Sequence, residues 1–94
     1  MERYKRKNTD GQRFDAIEAI QLTKENVDQV VAWCDGTPIE ETDALDSEKR
    51  YVGINIPSWG GVVRASEGDF VIKDHLGEFH TRWPQHFNNM FVKE

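Results

Sequence analysis

The sequence predicts a small α+β domain with a curved, mainly antiparallel sheet, in the order β-α-β-β-β-β-α and with a helix packed on one face. Three observations carry this prediction. Residues 68–84 alternate apolar and polar side chains on either side of a short polar loop, as an antiparallel hairpin does. Residues 24–34 and 84–92 instead repeat apolar side chains every three or four positions, which is the period of an amphipathic helix.

The first third of the chain contains a basic segment, a strand and a helix. Residues 1–12 are polar and basic, and we expect either an edge strand or a mobile arm there. Residues 13–23 carry apolar side chains at both parities, which predicts a central strand covered on both faces. Thr23 is the expected N-cap of the helix that follows, and Gly36 is its expected stop. The apolar stripe of this helix consists of Val27, Val30, Val31 and Cys34.

The middle of the chain begins with an acidic stretch. Residues 35–48 contain carboxylates but no Lys or Arg, and we expect residues 36–50 to form an acidic, variable loop. These carboxylates lack the spacing and the central Gly of a calcium-binding loop. Residues 51–56 and 60–65 follow as two short strands, joined by a turn that displays Trp59 at its tip.

The register of the C-terminal hairpin decides which side chains share a face. A four-residue loop pairs Lys73 with Glu78 and Ile72 with Phe79, and we favour it because it matches opposite charges and apolar side chains. A two-residue turn, which would set Lys73 against His80, is the alternative. In the favoured register one set of side chains faces the core (Phe70, Ile72, Phe79 and Trp83) and another shares the outer face (Lys73, His80 and Arg82).

Two residues punctuate this C-terminal region. Gly77 is expected to take the positive φ that closes the hairpin loop. Pro84 suits the first turn of a helix, which we expect over residues 84–92. Its apolar stripe consists of Phe87, Met90 and Phe91.

Length and composition indicate one domain, residues 1–94, with a single modest core. The apolar fraction is only 37%, but three Trp, five Phe and two Tyr supply the bulky side chains that disordered chains lack. Because so small a core leaves little burial per residue, we expect a homo-oligomer.

Charge and cysteine content restrict the partners and the compartment. A net charge of −5 argues against a nucleic-acid partner, whether bound specifically or not. Cys34 is the single cysteine, so no intrachain disulfide forms, which fits a reducing cytosol. No apolar run has membrane-spanning length and the basic start lacks the apolar region of a signal peptide, so we expect a soluble, cytoplasmic protein without membrane contact.

The sequence contains no motif for catalysis or for a cofactor. Cys34 lies on the apolar helix stripe, which is typical of a buried structural thiol. His75, His80 and His86 lack metal-ligand spacing, so no metal site is predicted. A glycine-rich phosphate loop is also absent. We therefore expect a protein that is not an enzyme and that needs no cofactor. An acid–base role for Asp69, Glu78 and His80 is a minor alternative.

Binding is the remaining class of function. An anionic ligand with flat bases needs cations for its phosphates and aromatic rings for stacking. The sequence offers both kinds of side chain, and the predicted ligand-binding residues are Lys73, His80, Arg82, Arg64, Trp59 and Tyr51.

Several motifs resemble those of small phage and prophage proteins of the PGDYG type. They are Ile17-Glu18-Ala19-Ile20-Gln21, Glu25-Asn26-Val27-Asp28, Gly68-Asp69-Phe70-Val71-Ile72-Lys73, Gly77-Glu78-Phe79, Pro84 and Phe87. Glu67 stands where that family often has Pro, and residues 80–83 also depart from its pattern. The family has no established general activity, so the resemblance implies no mechanism. It does imply a phage origin and the cytoplasm of an infected bacterial host.

Two functional hypotheses follow. The first is a phage accessory protein that sequesters a nucleotide second messenger of host immunity, such as a cyclic nucleotide or an ADP-ribose derivative, without turning it over. The alternative is a protein-interaction factor that binds a host or phage protein through its acidic loop or a sheet edge.

Overall fold

The computed structural model describes residues 1–7, 16–42 and 49–94, with backbone alone at residues 41, 42 and 49–51. It confirms the α+β class. The elements in chain order are β1 (Glu2–Arg6), β2 (Ala16–Gln21), α1 (Val27–Cys34), β3 (Thr37–Thr42), β4 (Lys49–Ser58), β5 (Gly61–Ser66), β6 (Phe70–Lys73), β7 (Phe79–Arg82), α2 (Pro84–Met90) and β8 (Phe91–Lys93). No helix in this described part is long and apolar enough to cross a membrane.

The strands form two antiparallel sheets rather than one continuous sheet. The first has five strands in the order β7-β6-β2-β1-β8, and the second has three in the order β3-β4-β5. β2 is central in the larger sheet, as its two apolar parities predicted. Ile17 and Ala19 belong to one apolar cluster, and Ile20 packs against another, so both faces of the strand are covered.

The basic N-terminal segment forms strand β1, which is not at the edge of the sheet. β8 pairs along its outer side, with Tyr4 opposite Lys93 and Arg6 opposite Phe91. The helix expected to reach residue 92 therefore ends at Met90. Without β8, the N–H and C=O groups along the outer side of β1 would lack partners. Residues Phe91–Lys93 therefore pair with β1 as a strand instead of extending the helix.

The prediction of an acidic loop over residues 36–50 is partly wrong. Residues Thr37–Thr42 form β3, which pairs with β4 and carries an irregularity in register between Ile39 and Glu40. Glu40 is exposed on this edge strand, so acidity does not prevent strand pairing. Residues 43–48 lie outside the described part of the chain.

The N-terminus of α1 differs from the prediction of a Thr23 cap. The helix begins at Val27 after a turn over residues 24–26. The Thr23 backbone N–H donates to Asn26 Oδ1 over 2.8 Å, and the Asn26 amide Nδ2 donates to the Gln21 carbonyl over 2.8 Å. Asn26 thus uses its side chain to hold the turn that precedes the helix.

The helix α1 ends at Cys34, and Gly36 follows it for a reason other than a left-handed backbone. Asp35 takes the left-handed conformation, with φ of 56°. A Cβ on Gly36 would lie 3.0 Å from the Cys34 Sγ and 3.1 Å from the Asn55 carbonyl oxygen. Gly36 therefore permits the close approach of the chain to β4.

Two apolar clusters lie on opposite faces of the larger sheet. One joins both sheets beneath α1 and contains Leu22, Val27, Val30, Cys34, Ile54, Ile56, Ala65 and Val71. The other lies beneath α2 and contains Ile17, Ala19, Phe70, Ile72, Phe87 and Phe91. Because β2 and β6 alternate their side chains between the two clusters, each face of this sheet has its own helix.

Neither predicted hairpin register occurs. Lys73 pairs with Phe79 and Ile72 with His80, around a five-residue loop from Asp74 to Glu78. A shift of one residue moves every side chain of a strand to the other face. His80 therefore lies on the α2 face with Ile72, and Phe79 lies on the α1 face with Lys73.

Phe79 explains why this register is preferred. Its ring packs edge-on against Trp33 of α1, with ring centroids 5.1 Å apart, as part of the cluster that joins the two sheets. Trp83, which was expected in the core, is 74% exposed. It precedes Pro84 and has the extended conformation that a following proline imposes, with φ −64° and ψ 149°.

Candidate functional site

The hairpin loop is organised by the Asp74 carboxylate. Asp74 Oδ1 accepts the backbone N–H groups of Leu76 over 2.9 Å and Glu78 over 3.0 Å. The Gly77 N–H donates to the Asp74 carbonyl over 3.0 Å, and Gly77 has the predicted positive φ, at 87°. These contacts favour the five-residue loop over the four-residue loop that charge pairing had favoured.

Asp74 also fixes His80 at the start of β7. The second carboxylate oxygen, Oδ2, lies 2.9 Å from His80 Nε2. Burial raises the pKa of Asp74, but hydrogen bonds from His80 and from the backbone of Glu78 and Leu76 outweigh it, so the pKa lies below its ordinary value. The carboxylate is therefore ionised and oriented toward the imidazole.

Glu78 completes a group of three ligand-type side chains. The Ser58 hydroxyl of β4 donates to Glu78 Oε1 over 3.0 Å, which ties the loop to the smaller sheet. One ligand atom from each of Asp74, Glu78 and His80 lies within 4.8 Å of the others, and all three residues are half-buried. The group was missed in the sequence because its spacing, Asp-x3-Glu-x-His, matches none of the metal motifs considered there.

A concave region beside His80, here called the inner cleft, has a volume of about 270 Å³. Its polar lining includes Arg6, His75, His80 and Arg82, and its apolar floor includes Ile72 and Phe91. The Arg6 guanidinium lies 5.9 Å from the centre of the Phe91 ring. The pairing of β1 with β8 therefore brings a cation from the N-terminal strand to those of the hairpin.

A second concave region, the outer cleft, continues from the first and has a volume of about 370 Å³. Its lining includes Arg64, Arg82, Trp83 and His86. Arg82 lines both clefts, and its Nη1 donates to the Thr81 carbonyl over 2.7 Å, which restrains the guanidinium. The exposed Trp83 ring provides an aromatic face in the same cleft as Arg64 and Arg82.

A third concave region, about 590 Å³, lies at the opposite side of the hairpin loop and includes Arg3, Glu18 and Lys73. The strand register places Glu18 opposite both cations, Arg3 on β1 and Lys73 on β6. Asp74 also lines this region, so two carboxylates balance the two cations. Lys73 Nζ also lies 5.9 Å from the centre of the Phe79 ring.

The six sequence-predicted residues are thus distributed over several places. His80 and Arg82 share the inner cleft, and Arg82 and Arg64 share the outer cleft. Lys73 lies on the other face, and the 68%-exposed Trp59 ring at the β4–β5 turn lines none of these three regions. The side chain of Tyr51 lies outside the described part.

The cleft residues that sequence reasoning missed are Arg6, Trp83 and His86. Arg6 reaches the site through a pairing between distant parts of the chain, which no local pattern encodes. Trp83 was assigned to the core from its alternation with Phe79, although the Pro84 that follows it was a local signal for an extended backbone there. His86 lies on the exposed side of α2, opposite the buried Phe87.

Cys34 is buried, as its position on the helix stripe predicted. Burial raises the pKa of the thiol above its ordinary value, so the reactive thiolate is disfavoured.

Comparisons with protein-family models, curated proteins and solved structures found no match. The resemblance to small phage proteins stays a prediction that rests on the motifs alone.

Proposed function

We propose that this protein is a non-enzymatic binding module for a nucleotide, which it holds at the two clefts joined by Arg82. The observation that supports this function best is that one restrained guanidinium lines two adjacent concave regions, each of which contains further cations. Each cleft has two guanidinium groups and one carboxylate in its lining, Asp74 in the inner cleft and Asp69 in the outer cleft. Positive charge is therefore in local excess although the overall charge of the chain is negative.

The phosphate groups of the ligand occupy the inner cleft in this proposal. Arg6 and Arg82 present planar donors that can grip phosphate oxygens in pairs. The apolar floor formed by Ile72 and Phe91 excludes water from one side and so strengthens these contacts.

The base of the nucleotide stacks on Trp83 in the outer cleft. Base–aromatic stacking contributes about 1–3 kcal/mol per base and tolerates any base. Trp83 is suited to this role because the residue is 74% exposed. Stacking of a base on its ring would remove apolar surface from water, which favours binding. Arg64 and His86 line the same cleft, where Arg64 adds a second positive charge to that of Arg82.

The biological role proposed for this binding is sequestration of an immune second messenger in an infected bacterial cell. This part rests on the resemblance to phage proteins and on the absence, from the sequence, of a recognised catalytic motif. A homo-oligomer would enlarge the site, because each cleft alone is near the lower limit of about 300–1,000 Å³ for small-molecule sites.

Native mass spectrometry of the purified protein, alone and mixed with cyclic di- and trinucleotides and ADP-ribose derivatives, tests this function. We expect a defined particle that retains one chemically intact nucleotide in a fixed ratio to the chain. Recovery of the ligand with an altered mass would replace the proposal by an enzyme. A bare particle across the whole panel would refute nucleotide sequestration for those ligands.

A second candidate function is docking to a protein through the β4–β5 hairpin. Trp59 and Val62 are 68% and 70% exposed at this hairpin, and β5 is an edge strand of the smaller sheet. Edge strands with exposed apolar side chains are typical docking surfaces. If this candidate is correct, a Trp59→Ser, Val62→Thr variant loses capture of a host or phage protein and keeps nucleotide binding.

A further inference from the structure

The geometry points to a binding site for a divalent transition-metal ion at Asp74, Glu78 and His80. These residues offer two carboxylates and one imidazole, with ligand atoms within 4.8 Å of one another. Asp74 and Glu78 lie in the hairpin loop, and His80 lies in β7. The loop joins the paired strands β6 and β7, which hold the backbone of the group. The inference is independent of the proposed function, because it concerns the metal alone.

Two of the three side chains, Asp74 and Glu78, are held by hydrogen bonds from outside the group. Asp74 Oδ1 is fixed by two backbone N–H groups, and Oδ2 is turned toward His80 Nε2. Glu78 Oε1 accepts the Ser58 hydroxyl. Such outer contacts orient the ligands of metal sites, and their loss costs about 10–100-fold in metal affinity.

The ion would take the place of the hydrogen bond between His80 and Asp74. Nε2 and Oδ2 are 2.9 Å apart. Two ligands at about 2.0–2.2 Å from a tetrahedral ion lie about 3.3–3.6 Å apart, so binding would move these two atoms apart by a few tenths of an ångström. A rotation of the Glu78 side chain brings its carboxylate into the same shell. Three protein ligands leave at least one position for water or for an oxygen of another ligand.

The donor set selects the class of ion. One imidazole nitrogen with two carboxylate oxygens suits Zn²⁺ and its first-row neighbours, whereas Ca²⁺ and Mg²⁺ prefer sites made of oxygen alone. Asp74 and His80 also line the inner cleft. A bound ion would therefore add positive charge at the end of that cleft nearest the hairpin loop.

Titration of the full chain with ZnCl₂, followed by calorimetry, tests the site. We expect one Zn²⁺ per chain, and binding at least about tenfold weaker in Glu78→Gln and in His80→Asn. Glu78→Gln keeps the size of the side chain and an acceptor for Ser58, so it preserves the fold. Glu67→Gln, which changes an exposed carboxylate in another turn, is the matched control and leaves the affinity unchanged.

NMR spectra of the imidazole rings provide a second readout that does not depend on the variants. We expect ZnCl₂ to shift the ring signals of His80 and to leave those of His86 in place. The proposal would be overturned by an absence of Zn²⁺ binding in the wild type, by equal affinity in Glu78→Gln, or by shifts confined to other histidines.

Discussion

The rings of Phe70 and Phe87 lie parallel, with an interplanar angle of 4° and centroids 3.9 Å apart. Phe87 is fully buried and also contacts Tyr4 edge-on, with ring centroids 4.9 Å apart. This aromatic cluster holds α2 against the five-stranded sheet, and α2 in turn positions Met90 and Trp83 at the two clefts. The stability of the fold and the shape of the site therefore share one group of side chains.

We expect Phe87→Ala to lower the free energy of unfolding by about 3–5 kcal/mol, because it removes a fully buried ring and leaves a cavity. Urea unfolding followed by circular dichroism measures this change. Val92→Ala, on the exposed side of β8, is the control and should change the free energy by no more than about 0.5 kcal/mol. Equal effects of the two variants would contradict the packing described for α2.

We expect Arg82→Gln to weaken nucleotide binding about 10–100-fold, because hydrogen bonds to charged groups contribute about 1.5–3 kcal/mol. Calorimetric titration with the nucleotide most tightly retained in native mass spectrometry measures the change. Lys73→Gln removes the same charge from the opposite face of the sheet and should bind like the wild type. If Lys73→Gln weakened binding more than Arg82→Gln, the ligand would lie on the face of the sheet opposite the proposed site.

The hairpin loop should lose stability in acid. The pKa of Asp74 is lower in the folded chain than its ordinary value of 3.8, so its ionised form stabilises the fold above that pH. This stabilisation disappears as the pH falls through the lowered pKa. In the presence of EDTA, we expect Asp74→Asn to be less stable than the wild type at neutral pH, with a difference that shrinks in acid.

Urea unfolding at a series of pH values measures this dependence. Glu67→Gln should follow the wild type at every pH, because Glu67 is an exposed turn residue. A constant difference between Asp74→Asn and the wild type would show that the Asp74 charge has no part in holding the loop.

We expect Gly77→Ala to destabilise the fold by about 1–2 kcal/mol, because Gly77 has φ of 87° and a side chain disfavours that conformation. The cost comes from backbone strain alone, since no atom lies within 4 Å of the added Cβ. Gly60→Ala also adds a Cβ in open space, but at a position without positive φ, and should be neutral or slightly stabilising. Thermal unfolding compares the two variants.

Local patterns predicted the elements of this fold better than their pairing. The stripe of Val27, Val30 and Cys34 identified α1, and apolar residues at both parities identified β2 as central. These features depend only on neighbouring residues and the period of the backbone. The acidic charge of residues 37–42 concealed β3, because an exposed edge strand tolerates charges that the pattern assigned to a loop.

The candidate site was harder to predict because it depends on register. Cross-strand charge matching favoured Lys73 opposite Glu78, but the Asp74 side chain and the packing of Phe79 on Trp33 determine the observed pairing. That difference of one residue separates Lys73 from His80 and Arg82. The energy of one exposed charge pair is about 0–1 kcal/mol, which is too small to set a register against a buried aromatic contact.

The pairing of β1 with β8 has a kinetic consequence. Tyr4 and Lys93 lie at opposite ends of the described chain, yet they are direct neighbours across two strands. Contacts between such distant residues require closure of a long loop before they contribute any free energy. The inner cleft, which needs Arg6 beside Phe91, therefore forms only after this slow closure. During refolding, ligand binding should appear later than the circular dichroism signal of the hairpins and helices.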